Sequence, residues 1–379
     1  MNLALMQLLE SQESLTKEDI DDFLAVQGSP VVDGTTVTFF WRGEADSVRL
    51  RHFVYGLPSA QKFQRLEGTD LWWYELEVPP ASRFEYKLEV VRDGRRSLLR
   101  DPLNPRVAHD PFGSNSVCAT AGYETPEWTF PDPEARSGTL ETVEVPSRHH
   151  KRPQRVVLYK PARLRPTRRY RLLVVFDGED YLRFAGFKTV LDNLIHRSEL
   201  PPLMVALTQS PDRTTDYTAN PGHADWVGEE LLPWLEAHLP LRTRAADRCL
   251  MGASLGAVAA LYAAARQPLL FGRLLLQSGS FAFSDYGETS DHPRMGPVVE
   301  FVNAWRAAPT RLAEKVYLSC GVYESLIYQN RSLVPRLTDA SMEVRFAEAH
   351  DGHNWEGWRD RLREGLTWLF PGPIGLVYE

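Results

Sequence analysis

The segment best suited to chemistry runs from Gly252 to Gly256 and reads Gly-Ala-Ser-Leu-Gly. Apolar residues precede it, as in a strand, and the alanine-rich stretch 257–266 predicts a helix after it. This is the context of a nucleophile elbow, in which small residues permit a strained turn and the Ser254 hydroxyl projects above a sheet. The turn also directs the backbone N–H of Leu255 towards a developing oxyanion. The alternative is a tight turn with a serine N-cap.

A serine hydroxyl needs a base, and hydrolases with such an elbow order their triad as Ser, acid and His along the chain. Two late histidines, His350 and His353, lie in a loop before a stretch rich in tryptophan and arginine. We predict His353 as the base, because Gly352 frees the loop and Trp355 can hold the following helix in place. His350 is the alternative base; if it is not the base, it is expected to be a partner of Asp351 or the last residue of a strand.

The acid of the triad should follow the penultimate strand, predicted at 315–321. Glu324 is the first carboxylate after that strand. Buried beside the imidazole, it would hold the tautomer and stabilise the imidazolium. Asp339 and Asp285 are alternatives, and Glu324 could instead be an ordinary acidic residue at the start of a helix.

The second oxyanion donor is expected in the loop that follows an earlier strand. Gly178 permits an unusual backbone there, so we predict the amide of Glu179 as the donor. The side chain of Asp177 is expected to hydrogen-bond its own loop. Arg213 lies in a long loop, where it could orient substrate or form a salt bridge with Asp216.

Three side chains are predicted to contact substrate: Arg213, Tyr181 and Trp355. We predict no metal, because the His-x-x-His spacing of His350 and His353 has no convincing third ligand. We predict no cofactor either, since hydrolysis needs only water.

The sequence predicts that the chain positioning these residues has three regions. Residues 1–28 form an N-terminal helical appendage, in which Thr16 and Asp19 are spaced as a capping box and leucines recur at positions 3, 5, 8 and 9. Residues 29–136 alternate apolar and polar positions between Gly, Pro and Asp turns, which predicts an immunoglobulin-like β-sandwich. Residues 137–379 form the catalytic domain, after a proline-rich linker that ends near Ser137.

The catalytic domain is predicted to have an α/β fold. TLETVEVPS and QRVVLYKP are typical of an edge hairpin, and the run RLLVVFDG at 171–178 is apolar without alternation. Such a run indicates a strand buried on both faces of a parallel sheet. Similar runs alternate with helical stretches, which predicts an open α/β sheet. Together with the elbow at Ser254, this predicts an α/β-hydrolase domain.

Composition excludes several classes of protein. The 379 residues are 43% hydrophobic and 25% charged, with a net charge of −7, which is typical of a globular protein. The mixed charges argue against a nucleic-acid partner, and no apolar stretch is long enough to cross a membrane. We expect a cytoplasmic protein whose three cysteines, Cys118, Cys249 and Cys320, are reduced and buried.

The sequence resembles the enterochelin esterase family, a branch of the esterase D-like α/β-hydrolases. The resemblance rests on segments that occur in family order along nearly the whole chain: VTFFWRG, DPLNP, FDGEDY, GASLG, GVYES and GHNWEGW. It implies cytoplasmic hydrolysis of the ester bonds of a catecholate siderophore, with Ser254, Glu324 and His353 as the triad. It also implies that the sandwich helps to cover the substrate, whose chelated iron is cargo rather than a cofactor.

The loop around Arg213 departs from the family pattern. Members tend to carry Glu-Leu closely after this arginine, whereas 216–218 reads Asp-Tyr-Thr, closer to general esterase D-like relatives. The alternatives are therefore a carbohydrate or feruloyl esterase, and a binding protein without catalysis. An anionic ferric catecholate would need a local positive patch, for which Arg213, Arg183 and Lys188 are candidates.

Overall fold

The computed structural model describes residues 15–165, 167–284 and 293–372. Their contacts divide the chain into two units. The first unit comprises Met1–Thr125, Gly321–Glu324 and Ala349–Gly357, and the second comprises Pro126–Cys320, Ser325–Glu348 and Trp358–Glu379. The second unit thus begins before the division predicted near Ser137, because Trp128 is buried and its carbonyl accepts a hydrogen bond from Nδ2 of Asn193.

Helix α1 spans Lys17–Gln27 and begins with the predicted capping box. The backbone N–H of Asp19 donates to Oγ1 of Thr16, and the N–H of Thr16 donates to Oδ2 of Asp19 at 2.8 Å. Apolar residues of the helix join two sandwich residues in a small buried cluster: Ile20, Leu24, Phe40 and Leu71. The leucines at positions 3, 5, 8 and 9 lie outside the described residues.

Within the first unit, residues 31–119 form the expected all-β domain, which is built from two antiparallel sheets. One sheet has the order β1 (Val31–Asp33), β2 (Thr36–Arg42), β6 (Leu71–Glu77) and β5 (Gln64–Arg65). The other has the order β4 (Ala60–Lys62), β3 (Ser47–His52), β7 (Arg83–Arg92), β10 (Gly113–Ala119) and β9 (Val107–Asp110), with β8 (Arg95–Leu99) also paired to β7. Side chains of both sheets share one apolar core, as in a sandwich.

The second unit contains an eight-stranded sheet. Its order is β11 (Thr139–Val145), β12 (Gln154–Lys160), β14 (Leu203–Thr208), β13 (Arg171–Val175), β15 (Arg248–Ala253), β16 (Arg273–Gln277), β17 (Lys315–Gly321) and β18 (Glu343–Ala349). Strands β11 and β12 form the predicted antiparallel hairpin at one edge, and β13 to β17 pair in parallel. The central strands are buried on both faces, which explains their continuous apolar runs.

Helices connect these strands, as an α/β fold requires. They are α2 (Gly178–Phe184), α3 (Phe187–His196), α4 (Arg213–Asp216), α5 (Pro221–Asp225), α6 (Leu232–His238), α7 (Leu255–Arg266), α8 (Gly296–Ala307), α9 (Ile327–Asp339), α10 (Trp355–Arg359) and α11 (Leu362–Leu369). A π-helical turn, Trp226–Leu231, precedes α6. Within the described ranges, every helix is too short or too polar to span a bilayer.

All three cysteines are buried thiols, as predicted. Burial raises the pKa of the Cys118 thiol to about 12, so this thiol stays protonated and behaves as an apolar side chain.

His52 makes the stability of the sandwich depend on pH. The residue is buried, and its Nδ1 accepts a hydrogen bond from the amide of Val54. Burial, with a smaller contribution from Arg51, lowers the pKa of His52 to about 4. The pKa of His52 is therefore lower in the folded protein than in the unfolded chain. The neutral ring contributes its full stabilisation of the fold above the pKa of the unfolded chain, and this contribution is lost as pH falls towards the pKa of the folded protein.

We therefore predict that His52 costs the fold about 2 kcal/mol of unfolding free energy between about pH 7.5 and pH 5. Denaturant unfolding at both pH values measures this loss. In His52→Asn, Oδ1 can still accept from Val54 but does not titrate, so the pH-dependent loss should shrink by that amount. An equal loss in the variant would contradict the prediction.

Candidate active site

Ser254 lies in a strained turn between β15 and α7. Its backbone has φ 57° and ψ −121°, a conformation that L-residues rarely adopt. A Cβ atom added at Gly252 would lie 2.3 Å from the carbonyl oxygen of Gly256. The turn therefore closes only because position 252 has no side chain, as the predicted nucleophile elbow requires.

Backbone hydrogen bonds hold this turn against the neighbouring strand end. The amide of Ser254 donates to the carbonyl of Gln277 at 2.9 Å, and the amide of Ser280 donates to the carbonyl of Ser254 at 3.3 Å. The two serine hydroxyl oxygens are 3.3 Å apart. The Ser254 side chain is half-buried. Leu255 is the first residue of α7, where a backbone N–H has no acceptor within the helix.

Tyr181 does not fit its predicted role as a substrate contact. The side chain is fully buried, and its hydroxyl donates to Oε1 of Gln277 at 2.7 Å. Nε2 of the same glutamine donates to the carbonyl of Trp358. We therefore correct the assignment: Tyr181 is a core residue that fixes Gln277, whose carbonyl holds the Ser254 amide.

The loop after β13 carries a buried carboxylate next to the elbow. Nε of Arg213 donates to both oxygens of Asp177, at 3.0 and 2.8 Å, and its Nη2 lies 3.4 Å from the carbonyl oxygen of Ala253. A Cβ at Gly256 would lie 3.3 Å from Oδ2 of Asp177. Burial raises the pKa of Asp177 to about 6, although Arg213 opposes this shift. The arginine thus links the carboxylate to the residue before Ser254.

The structure differs at three points from what the sequence suggested for this loop. Arg213 pairs with Asp177 rather than with Asp216, and Asp177 bonds this arginine rather than its own loop. The unusual backbone lies at Asp177, with φ 54°, and not at Gly178. Glycine is needed at 178 because a Cβ there would lie 2.4 Å from Cβ of Leu207.

In the first unit, an imidazole and a buried carboxylate form a hydrogen-bonded pair. Nδ1 of His353 lies 2.7 Å from Oε2 of Glu324. The other carboxylate oxygen accepts from the amide of Gly321 at 2.8 Å. The His353 side chain is 39% exposed, whereas that of Glu324 is 2% exposed. The pairing directs Nδ1 to the carboxylate and so fixes the orientation of the ring.

The alternative residues make other contacts. His350 lies with its Nδ1 3.2 Å from the carbonyl oxygen of Pro80. Asp339 is an exposed residue at the end of α9, and Asp285 lies outside the described residues. Trp355 opens α10 and is nearly buried.

The loop that carries His353 is held by a residue that the sequence analysis missed. Arg83, at the start of β7, is 1% exposed. Its Nη1 donates to Oδ1 of Asn354 at 2.8 Å and lies 3.5 Å from Oδ1 of Asp351, while its Nη2 donates to Oε2 of Glu356. Its backbone N–H donates to the carbonyl of His350.

Charge balance explains how this arginine can be buried. Burial lowers the pKa of Arg83, but the charges of Asp351, Glu356 and Glu85 together raise it by more than burial lowers it. The guanidinium therefore stays charged. One cation therefore fixes residues on both sides of His353. A buried arginine has no local sequence signature beyond its place in a strand of alternating polar and apolar residues.

Comparisons with known proteins agree with this architecture. The family model described as "Putative esterase" matches residues 147–369, and the one described as "Enterochelin esterase, N-terminal" matches residues 36–128. The iron(III) enterobactin esterase of Escherichia coli K12 is 27% identical over 382 residues, which cover 88% of this chain and 91% of that protein.

Solved structures show the same fold. The enterobactin esterase of Shigella flexneri, crystallised in the presence of enterobactin, superposes with a TM-score of 0.74 at 23% identity and covers 94% of this chain and 99% of that one. A ferulic acid esterase superposes with a TM-score of 0.54 at 16% identity and covers 62% of this chain and 98% of that one.

The esterase model alone matches more than half of the chain, and the second model matches the sandwich. The chain is thus a carboxylic ester hydrolase of α/β fold, and it belongs to the enterochelin esterase family.

Proposed function

We propose that Ser254 is the nucleophile of this esterase, with His353 as general base and Glu324 as the acid that orients it. The observation that carries the proposal is the strained turn, which has room for no side chain at position 252 and presents a half-buried hydroxyl at the start of a helix. The three residues also follow the chain order Ser, acid, His of hydrolases with this elbow.

The proposed reaction proceeds through an acyl-enzyme. Oγ of Ser254 attacks the ester carbonyl carbon while Nε2 of His353 takes its proton. The oxyanion receives hydrogen bonds from the amide of Leu255 and, as the second donor, the amide of Glu179. The tetrahedral intermediate expels the alcohol, which takes the proton from His353. Water then repeats the sequence on the acyl-enzyme and releases the acid.

The buried position of Glu324 suits its role. Its carboxylate accepts hydrogen bonds from the Gly321 amide and from His353. The negative charge beside Nδ1 favours the imidazolium that forms when Nε2 takes the serine proton, and it fixes the ring orientation. The same pair would be less useful if the carboxylate were in water, where the attraction between the two charges is weaker.

The substrate that we propose is a catecholate siderophore of the trilactone type. Support comes from the relatives named iron(III) enterobactin esterase, whose match extends over both the sandwich and the esterase part. Cutting the ester backbone separates the catechols, which lowers their effective concentration around the bound iron and so favours its release. Iron enters and leaves this reaction as cargo of the substrate.

Binding of an anionic ferric catecholate requires cations. Arg213 is partly exposed beside the elbow, although Asp177 offsets its charge. Arg183 is exposed on α2. Nζ of Lys188, the third candidate, lies 2.6 Å from Oδ2 of Asp192, which offsets its charge. We therefore assign substrate attraction to Arg213 and Arg183, and we keep Trp355 as a proposed contact.

The serine assignment predicts that Ser254→Ala lowers kcat by roughly 10⁴-fold or more, because the nucleophile is lost. Ser280→Ala is the matched control, since it removes the neighbouring hydroxyl and should keep kcat within about tenfold of the unaltered protein. A fluorophosphonate should label the unaltered protein and Ser280→Ala but not Ser254→Ala, as mass spectrometry of the intact chain can show. Near-normal turnover by Ser254→Ala would refute the assignment.

The substrate proposal predicts a preference for catecholate trilactones. We expect kcat/KM to be at least about tenfold higher for an enterobactin-like trilactone than for a feruloyl ester or an acetylated sugar, because extra catechol contacts stabilise the transition state. A panel of these three substrates measures the ratio. The fold shared with ferulic acid esterase makes the feruloyl ester the proper competitor. A preference for either competitor would contradict the siderophore proposal but would not contradict the proposal that Ser254 catalyses ester hydrolysis.

Arg83 is proposed as a positioning residue for His353. Arg83→Lys keeps the charge but cannot reach Asn354, Asp351 and Glu356 together. We expect kcat to fall by about tenfold to a hundredfold with KM within about twofold, since the base is misplaced while binding surfaces are kept. Arg95→Lys, at an exposed position on β8, is the control. A change in KM alone, or no change in kcat for a folded Arg83→Lys, would contradict this role.

A further inference from the structure

Two consecutive histidines in the loop between β11 and β12 meet one buried carboxylate of α4. Nε2 of His149 lies 3.0 Å from Oδ1 of Asp216, and Nε2 of His150 lies 2.8 Å from Oδ2. One ligand atom from each of the three residues can be chosen so that all lie within 4.8 Å of one another. Imidazole nitrogens with a carboxylate oxygen form a typical donor set for zinc.

A third imidazole faces the same carboxylate. Nδ1 of His223 lies 4.0 Å from Oδ2 of Asp216. His223 is 2% exposed, and neither of its ring nitrogens has a hydrogen-bond partner among the described residues. A neutral imidazole offers the lone pair of one ring nitrogen to a metal ion. A buried polar group without a partner needs an explanation.

Neighbouring residues fix the orientation of these side chains. Nδ1 of His150 lies 2.8 Å from Oγ of Ser147, which leaves Nε2 for the cluster. The hydroxyl of Ser210 donates to the shared carboxylate at 2.6 Å. A Cβ at Gly222 would lie 2.2 Å from Nδ1 of His149, so only glycine leaves room for this ring. Such outer contacts are typical around the ligands of a metal ion.

We propose that His149, His150, Asp216 and His223 bind one zinc ion. In a tetrahedral site with bonds of about 2.1 Å, ligand atoms lie about 3.4 Å apart. The histidine nitrogens lie 2.8, 3.0 and 4.0 Å from oxygens of Asp216, on both sides of this value. The ligand atoms of His149, His150 and Asp216 all lie within 4.8 Å of one another. Four protein ligands leave no open position for water, which makes the ion structural.

This inference goes beyond the proposed esterase function and does not depend on it. Zinc would bind Nε2 of His149 and of His150 as the ring proton moves to Nδ1, which in His150 can then donate to Oγ of Ser147. The ion would also give the His223 ring a partner. Since Asp216 is on the same short helix as Arg213, the ion would also fix the arginine that pairs with Asp177.

The experiment measures zinc directly. The full chain is purified without a metal-affinity tag, dialysed against zinc and then against buffer, and examined by elemental mass spectrometry. We expect about one zinc per chain for the unaltered protein. Asp216→Asn and His149→Ala should hold less than about a tenth as much. His238→Ala, which removes an exposed histidine elsewhere in the same unit, is the control and should match the unaltered protein.

A second measurement guards against variants that fail to fold. Cobalt(II) loaded into the unaltered protein should give the intense visible absorption of a tetrahedral site, and added zinc should abolish it. Zinc should also raise the Tm of the unaltered protein and of His238→Ala by several degrees, but not that of His149→Ala. Substoichiometric zinc in the unaltered protein, or full zinc in both ligand variants, overturns the proposal. Ester hydrolysis assayed in parallel shows separately whether the esterase proposal stands.

Discussion

The close approach of Gly252 to Gly256 is the steric constraint on which the catalytic unit depends. A backbone such as that of Ser254 costs about 1–3 kcal/mol and persists only when its surroundings over-determine it. Here the Gln277 carbonyl and the Ser280 amide hold the two sides of the turn. Tyr181 and Trp358 fix the Gln277 side chain in the core. The Gln277 carbonyl in turn holds the Ser254 amide, so packing in the core determines where the Ser254 hydroxyl lies.

Buried charge is handled in two different ways in this protein. Arg83 is enclosed by carboxylates and an amide oxygen, so its charge is compensated in place and the loop around it is rigid. Asp177 is buried against one partly exposed arginine, and burial raises its pKa to about 6. Removing the arginine from either arrangement would leave a buried carboxylate without its counter-charge, which is far more costly than losing an exposed pair.

The sequence predicted those features that local patterns determine. Continuous apolar runs identified the central strands, alternation identified the sandwich, and glycine spacing identified the elbow at Ser254. The pairing of Glu324 with His353 was also anticipated, because chain order in such hydrolases restricts the candidates. The roles of Gly178 and Tyr181 were misjudged, since the first reflects a close approach to Leu207 and the second a hydrogen bond to Gln277.

What the sequence could not show is contact between residues far apart in the chain. Arg83 precedes the loop that it holds by more than 260 positions, and nothing in the alternation of β7 distinguishes it from a solvent-facing arginine. His149 and His150 likewise read as part of a basic loop, SRHHKRP. Their proposed role depends on contact with Asp216, which lies in the connection between β14 and β15.

The helix α4 shows why such distant contacts matter for the chemistry. Arg213–Asp216 is four residues long, and a helix of that length is not stable by itself in water. Its position must therefore come from side-chain contacts, which for Asp216 are the two histidines and Ser210. Arg213 begins the same helix and bonds Asp177 next to the elbow. The histidine loop and the elbow are thus mechanically connected through one turn of helix, so whatever satisfies the carboxylate of Asp216 also determines where the guanidinium beside Ser254 lies.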